Sequence, residues 1–199
     1  MWVGRKVRLR PFGRGDLPSM VRWNNDPDLQ YYVDYDLPKT LPECEVWFAE
    51  NVRGPCYRLF AIEDDEGRLI GDLELDHISW RRREAELRIR IGEKERWNEG
   101  YGTDAVRTLL ALAFGRMKLR RVYLKVYRFN RRAIRCYEKS GFRKEGILRR
   151  RGGAAGWKDI ILMSVEVPDE GWAEAAAAAE GHPGAKRNQP PLRRRKMLP

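Results

Sequence analysis

Over the first 167 residues the apolar positions switch between a period of two and a period of three to four, and each switch marks a change of element. VRLRPF at 7 to 12 alternates and predicts a strand, which Pro11 confines to a sheet edge or a strand end. A helix follows with Asp16 as its cap and Leu17, Met20 and Val21 as its apolar face, and Asp26-Pro27 ends it. Thr40-Leu-Pro-Glu43 reads as a capping box opening a second helix through Val46, Trp47 and Phe48, stopped by Gly54-Pro55. YRLFAIE (57 to 63), LIGDLELDHI (69 to 78) and ELRIRI (86 to 91) are three strands joined by tight connections, an antiparallel meander. Then come a glycine-containing loop at 98 to 102, a helix through Leu109, Leu110 and Ala113, and the strand RVYLKVY at 121 to 127. A helix from Asn130 to Ser140, stopped by Gly141, and two strands near 142 to 150 and 157 to 166 complete the pattern. The predicted order is β-α-α-β-β-β-α-β-α-β-β, with no internal repeat.

At 199 residues, 42% hydrophobic and 35% charged, the chain suits one domain with a real core and a short appendage. The break falls at Val167-Pro168: residues 1–167 form the domain, and 168–199, with the alanines at 175 to 179 and the closing basic run, lack any periodic apolar face and predict a flexible tail. Of the net +11, the tail carries +2, so the domain itself is basic at +9. The longest apolar run, LLALAF at 109 to 114, is far too short to span a membrane, and MWVGRKVRLR is too charged for a signal peptide, so no membrane partner is expected. Cys44, Cys56 and Cys136 are few, odd in number and far apart, as expected of reduced thiols in the cytoplasm. With only His77 and His182 in the chain, a histidine-dependent triad or a clustered zinc site has almost nothing to be built from, and no metal is expected.

The loop RWNEGYGT, Arg96 to Thr103, follows a strand and opens a helix, which turns unpaired N–H groups and the positive end of the helix dipole toward an anion. GYGTDA also fits the G-x-G-x-x-A dinucleotide pattern, but the acidic residue such a site needs about 20 positions on is replaced by Arg120-Arg121. From Ala105 to Tyr137 there is no Asp or Glu, while ten Lys and Arg occur, so the expected ligand is a polyanion; the alternative is a solvated basic face. Asn130 and Tyr137, two helical turns apart, share a face. They either point at one ligand or serve as a helix cap and a core aromatic.

IGEKERWNEGYGTDAVRTLLALAF followed by RVYLKVYRFNRRAIRCYEKSGFRKEG resembles the acetyl-CoA-binding core of the GNAT acyltransferase superfamily, over about residues 6 to 166. The spacing FN-x-x-AI-x-x-YEK-x-GF resembles the branch holding ribosomal-protein N-terminal acetyltransferases and spermidine acetyltransferases. The resemblance implies an α/β chain of α+β type: a mixed, mostly antiparallel central sheet flanked by helices, whose fourth and fifth strands splay to admit acetyl-CoA. It also implies that backbone around Ile89, Arg90 and Ile91 holds the pantetheine arm and polarises the thioester, and that Asn98, Gly100, Tyr101, Gly102 and Thr103 hold the pyrophosphate. Asn130 would lie near the cofactor, and Tyr137 would protonate the departing thiolate. The family pattern places Gln or Arg three residues before the first loop glycine, where this chain has Trp97 with Arg96 beside it.

The expected activity is acetyl transfer from acetyl-CoA to a primary amine, on a protein N-terminus, a polyamine or another small amine, directly within a ternary complex. An acyl-Cys136 route lacks a neighbouring histidine. Attack needs a neutral amine, and Glu86 is the candidate base, although Glu84, Glu86, Arg88 and Arg90 share a strand face and an ion pair explains Glu86 equally well. Asp72, Glu74 and Asp76 also share a side, either to attract a cationic amine or to pair with Arg81 to Arg83 and Arg88. The aromatic loop at 30 to 40 and the loop at 152 to 158 are left between an acceptor site and a homodimer contact. The competing class is an RNA- or ribosome-binding protein on the same fold without transfer activity, its contact made through the basic charge and the tail.

Overall fold

A computed structural model describes residues 1–33, 36–52, 54–151 and 157–167. The tail expected over 168–199 and most of the loop at 152 to 158 lie outside the described residues. The chain runs β1 (Trp2–Val3), β2 (Arg8–Pro11), α1 (Leu17–Asn24), α2 (Pro27–Gln30), α3 (Leu41–Asn51), β3 (Arg58–Glu63), β4 (Leu69–Ser79), β5 (Glu84–Ile91), α4 (Tyr101–Gly115), β6 (Arg121–Tyr127), α5 (Arg131–Lys139), β7 (Arg143–Arg151) and β8 (Trp157–Glu166). The strands make one sheet in the order β1-β2-β3-β4-β5-β6-β8-β7, antiparallel throughout except between β5 and β6. The mixed, mostly antiparallel sheet flanked by helices is as the sequence predicts.

Two short elements, β1 and α2, escaped the hydrophobic pattern. Asp26-Pro27 does end α1, but the Asp26 carboxylate then accepts the Asp28 N–H at 2.9 Å and starts α2, with Pro27 in its first turn. Asp16 does not cap α1 through its side chain. Its carboxylate is taken by the Arg10 guanidinium at 2.6 and 2.8 Å and by the Gly13 N–H at 2.8 Å, because a short 3₁₀ turn at Arg14–Asp16 precedes the helix and directs it back to β2. The capping box of α3 forms as its spacing requires, Thr40 Oγ1 accepting the Glu43 N–H and Glu43 Oε2 accepting the Thr40 N–H.

The two faces of the sheet are covered differently. On one, Leu73 and Leu75 of β4, Leu87 of β5 and Val122 and Leu124 of β6 pack with Val106, Leu109 and Ala113 of α4 and with Ile134 and Tyr137 of α5. A second cluster of Phe12, Leu17, Met20, Cys44, Tyr57 and Leu59 seats α1 and α3. No described helix is long and apolar enough to cross a membrane.

What positions the site is an incomplete pairing. β5 and β6 run parallel through only three register pairs, Glu84 with Arg121, Ala85 with Val122 and Glu86 with Tyr123. Beyond them β5 continues along β4 as far as Ile91, while β6 continues along β8 as far as Tyr127. The strands predicted to splay therefore open into a fork with its vertex at Glu86 and Tyr123.

Candidate active site

In an antiparallel ladder a residue points both backbone polar groups either at its neighbour strand or away from it, in alternation. The Gly92 N–H donates to the Ile70 carbonyl at 2.8 Å, in register with the Arg90–Asp72 and Arg88–Glu74 pairs. Arg90 thus spends its N–H and C=O on β4, whereas Ile89 and Ile91 direct theirs into the fork. The Ile91 carbonyl accepts the Trp97 indole N–H at 2.8 Å, which fixes the chain that leaves the fork for the glycine loop. Of the three residues expected to line the pantetheine, two present backbone to the gap, and Arg90 faces the other way.

Past Trp97 the backbone turns left-handed at Asn98 (φ 65°) and again at Gly100 (φ 90°), the N-terminal boundary of α4. Left-handed residues between right-handed ones fold N–H groups into an anion-binding concavity. Among the described residues none of the N–H groups from Asn98 to Thr103 has a hydrogen-bond partner. Asn98, Gly100, Tyr101, Gly102 and Thr103 are thereby brought together as one run of unsatisfied donors at a helix start, suited to phosphate. Side chains at the loop are occupied elsewhere. Tyr101 is buried with its hydroxyl toward Arg96 at 3.4 Å, and Arg96 pairs with the fully buried Asp64 at 2.9 Å.

α5 closes the other side. Asn130 is its N-cap, Oδ1 accepting the Ala133 N–H at 3.1 Å, so the capping role is real; its Nδ2 has no partner among the described residues and stays available. A Cβ built on Gly102 would touch Cys136 Sγ at 3.6 Å and Ile91 Cγ1 at 3.7 Å, so the loop, the end of β5 and α5 converge. Thr103 Oγ1 also meets Cys136 Sγ at 3.5 Å. Tyr137 follows Cys136 and is 6% exposed. Its hydroxyl has no hydrogen-bond partner among the described residues, yet no buried polar side-chain atom is unsatisfied there, so the hydroxyl must open onto accessible space. Burial pushes the Tyr137 phenol above its ordinary value, with Cys136 adding to the shift. Burial raises the Cys136 thiol as well, against weaker opposition from Thr103, which disfavours a thiolate nucleophile.

On the opposite face of β4 and β5 the acids are paired. Asp72 binds Arg90, whose Nη1 also reaches Asn24 Oδ1 at 2.5 Å. Glu74 binds Tyr57 and Arg88, the latter at 3.1 Å, and Asp76 meets Arg88 and His77, each at 3.1 Å. Burial raises the Glu74 carboxyl, opposed by these two partners. Pairing is thus the fate of this row, through Arg88 and Arg90 and not through Arg81 to Arg83. Glu86, 3% exposed, lies at the vertex of the fork with Lys125 Nζ 3.3 Å from both of its oxygens and His77 Nδ1 at 3.6 Å. It therefore stands in an ion pair, on the face of the sheet away from α4 and α5.

The acid-free stretch is not one basic surface. Arg121 pairs with Glu84, Glu145 and Glu166, Arg128 with Asp159, Lys125 with Glu86, and Arg107 donates to the Lys139 carbonyl. Acids outside the block complete it, which a count within the block does not reveal. Reading the residues singly also missed two groups at the fork. Arg132 lies 3.5 Å from the centre of the Trp97 ring, and Lys125 ties β6 to β5. The alternation of RVYLKVY, which puts Tyr123, Lys125 and Tyr127 on the face opposite Val122, Leu124 and Val126, was the available signal for Lys125.

Residues 6–143 match the family model described as an acetyltransferase (GNAT) domain. The spermidine N(1)-acetyltransferase of Vibrio cholerae is 30% identical over 146 residues, covering 73% of this chain and 84% of that protein. That of Escherichia coli K12 is 30% identical over 142 residues, covering 71% and 75%. Among solved structures, the Vibrio cholerae spermidine N-acetyltransferase in complex with CoA and spermine superposes with a TM-score of 0.74 at 28% identity, covering 80% of this chain and 95% of that one.

Proposed function

The chain belongs to the acetyltransferase (GNAT) domain family and is an acetyl-CoA-dependent N-acetyltransferase, and we propose that its fork between β5 and β6 is where the acetyl group passes to a primary amine. One observation carries this reading: the edge of β5 loses its partner beyond Glu86, and after the turn at 92–97 the chain presents six consecutive N–H groups, Asn98 to Thr103, with no partner among the described residues. A pantetheine arm adds as a strand to such an edge, and a pyrophosphate suits the N–H run. The acetyl group arrives as a thioester of the cosubstrate. The Ile89 N–H, directed into the fork, hydrogen-bonds the carbonyl oxygen as charge grows on it. Tyr137, with a hydroxyl committed to nothing else, gives its proton to the leaving sulfur. Glu86 receives the proton of the incoming ammonium, with His77, 63% exposed at its side chain and 3.6 Å away, as the exit to solvent.

The relatives' names put spermidine first among amines to assay, beside peptide N-termini and small monoamines. The open edge strand β7, with Ile147 and Leu148 exposed, is the surface we assign to self-association. The cytoplasm is the compartment that three free cysteines suit. The rival reading as an RNA or ribosome binder without transfer activity has no support in the relatives, and much of its basic block is paired internally.

Thiol release with an amine panel, read beside calorimetric uptake of acetyl-CoA, is the test. Tyr137→Phe is expected to lower kcat by about 100-fold with little change in acetyl-CoA affinity. Equal kcat in variant and parent removes the acid role, and no uptake of acetyl-CoA removes the fork as its seat.

A further inference from the structure

A second concave surface lies on the flank of α5 that faces away from the glycine loop. Arg131, Ile134, Arg135 and Glu138, at spacings of three and four, form one wall, and Arg128, Lys144 of β7 and Ile161 of β8 complete a cavity of about 300 Å³. Such a volume falls at the lower end of small-molecule sites, roughly 300–1,000 Å³. α5 meets Gly102 and Thr103 through Cys136, which is not one of these wall residues, so the helix stands between the cavity and the unpartnered N–H run.

The charges around this cavity do not balance. Arg128 pairs with Asp159 at 3.0 Å, a carboxylate that Arg149 also approaches at 3.6 Å, and Lys144 pairs with Glu138 at 3.0 Å. Arg131 and Arg135 are exposed at the rim, and among the described residues neither guanidinium has an ion pair or a hydrogen bond. Like charges at i and i+4 destabilise a helix, and these two keep theirs without an acid. The floor is apolar, formed by the buried Ile134 and Ile161.

Charge and shape together select the occupant. Two uncompensated guanidiniums, about 6 Å apart at their Cβ atoms, match one dianion with oxygens enough for both. A phosphate monoester carries about −1.5 to −2 charges near neutral pH and three terminal oxygens. A carboxylate or a phosphodiester brings a single charge and leaves half of the excess unbalanced. The isoleucine floor favours an ester with an apolar or planar body over inorganic phosphate.

We propose that the cavity between α5 and the β7–β8 pair binds a small phosphate monoester, its phosphate bridging Arg131 and Arg135 and its organic part lying on Ile134 and Ile161. The site is separate from the fork, and both fill at once.

The experiment is calorimetric titration of the full chain in low salt without phosphate buffer, at about pH 8, where a monoester with a second pKa of about 6 is dianionic. The probes are phenyl phosphate, inorganic phosphate, methyl phenyl phosphate as the diester and benzoate as the carboxylate, each with and without saturating acetyl-CoA. The expected result is one phenyl phosphate per chain, bound about tenfold or more tighter than the other three and undisturbed by acetyl-CoA. Arg131→Gln and Arg135→Gln should each weaken it about tenfold or more at an unchanged urea midpoint, both side chains being exposed. Arg116→Gln, which removes an exposed cation at the end of α4, should leave it as in the parent. No uptake of phenyl phosphate, another probe binding as tightly, or equal losses in all three variants, as a diffuse basic surface gives, overturns the proposal. Displacement by acetyl-CoA overturns it too, by assigning both arginines to the cofactor's own phosphates. Failure of acetyl-CoA to bind at all removes the reading of the fork instead, and the variants alone then decide this site.

Discussion

At the scale of single residues, the chemistry depends on which polar atoms are spoken for. Tyr137 and Cys136 are neighbours with opposite prospects: the phenol opens onto accessible space with its proton retained, and the thiol is packed against Gly102 and Thr103 at the start of α4. Because burial raises the Tyr137 phenol, its neutral, proton-donating form persists beyond the ordinary phenol range of about 10. The kcat of the parent enzyme should therefore show no alkaline loss from this group up to pH about 10. Cys136→Ala should keep turnover, since no acyl-thiol is needed; a pH–rate profile and single-point kinetics on the variant check both. That Tyr137 shares a helix face with Asn130 was legible in their spacing; its part as an acid came only from the family resemblance. The pairing of Glu86 with Lys125 was not, because the two residues are 39 apart in the chain and meet only once β5 and β6 lie side by side.

Among the elements, those with strong local signals came through the sequence intact: the β3-β4-β5 meander, the capped α3, and α4 and α5 with the loop between Trp97 and Gly100. Those without such signals did not. β1 has two residues and α2 has four, too few to establish a period, and Asp16 was diverted from capping by a guanidinium on a neighbouring strand. The join between β5 and its loop shows how tightly an element boundary can be set. A Cβ at Gly92 would collide with the Trp23 indole, whose Nε1 donates to Glu93 at 3.0 Å. Gly92→Ala should cost about 1–3 kcal/mol, read as a lowered urea midpoint at unchanged m-value, and should weaken acetyl-CoA uptake in the same variant by displacing the loop that follows. An unchanged midpoint would mean that the indole moves aside freely.

For the whole molecule, the sheet order and the one parallel junction follow from a chain that builds two antiparallel groups, β1 to β5 and β6 to β8, and joins them through three register pairs. Hydrophobic periodicity supplies the strands of each group but says nothing of how many pairs unite them. The fork was accessible from the sequence only through family resemblance. Charge tells a similar story: the net +11 suggested a single polyanion surface, whereas folding pairs Arg121, Lys125 and Arg128 with acids from other elements and spreads the exposed cations of the block over α4, β6 and α5. The unpaired run at Ile89, Ile91 and the Asn98-to-Thr103 loop makes the molecule its own reporter. Amides without acceptors should take up deuterium within seconds in the free protein and slow by orders of magnitude once a ligand supplies the missing oxygens. Isotope uptake over 87–103 would then register occupancy of the cleft before any bond is made or broken.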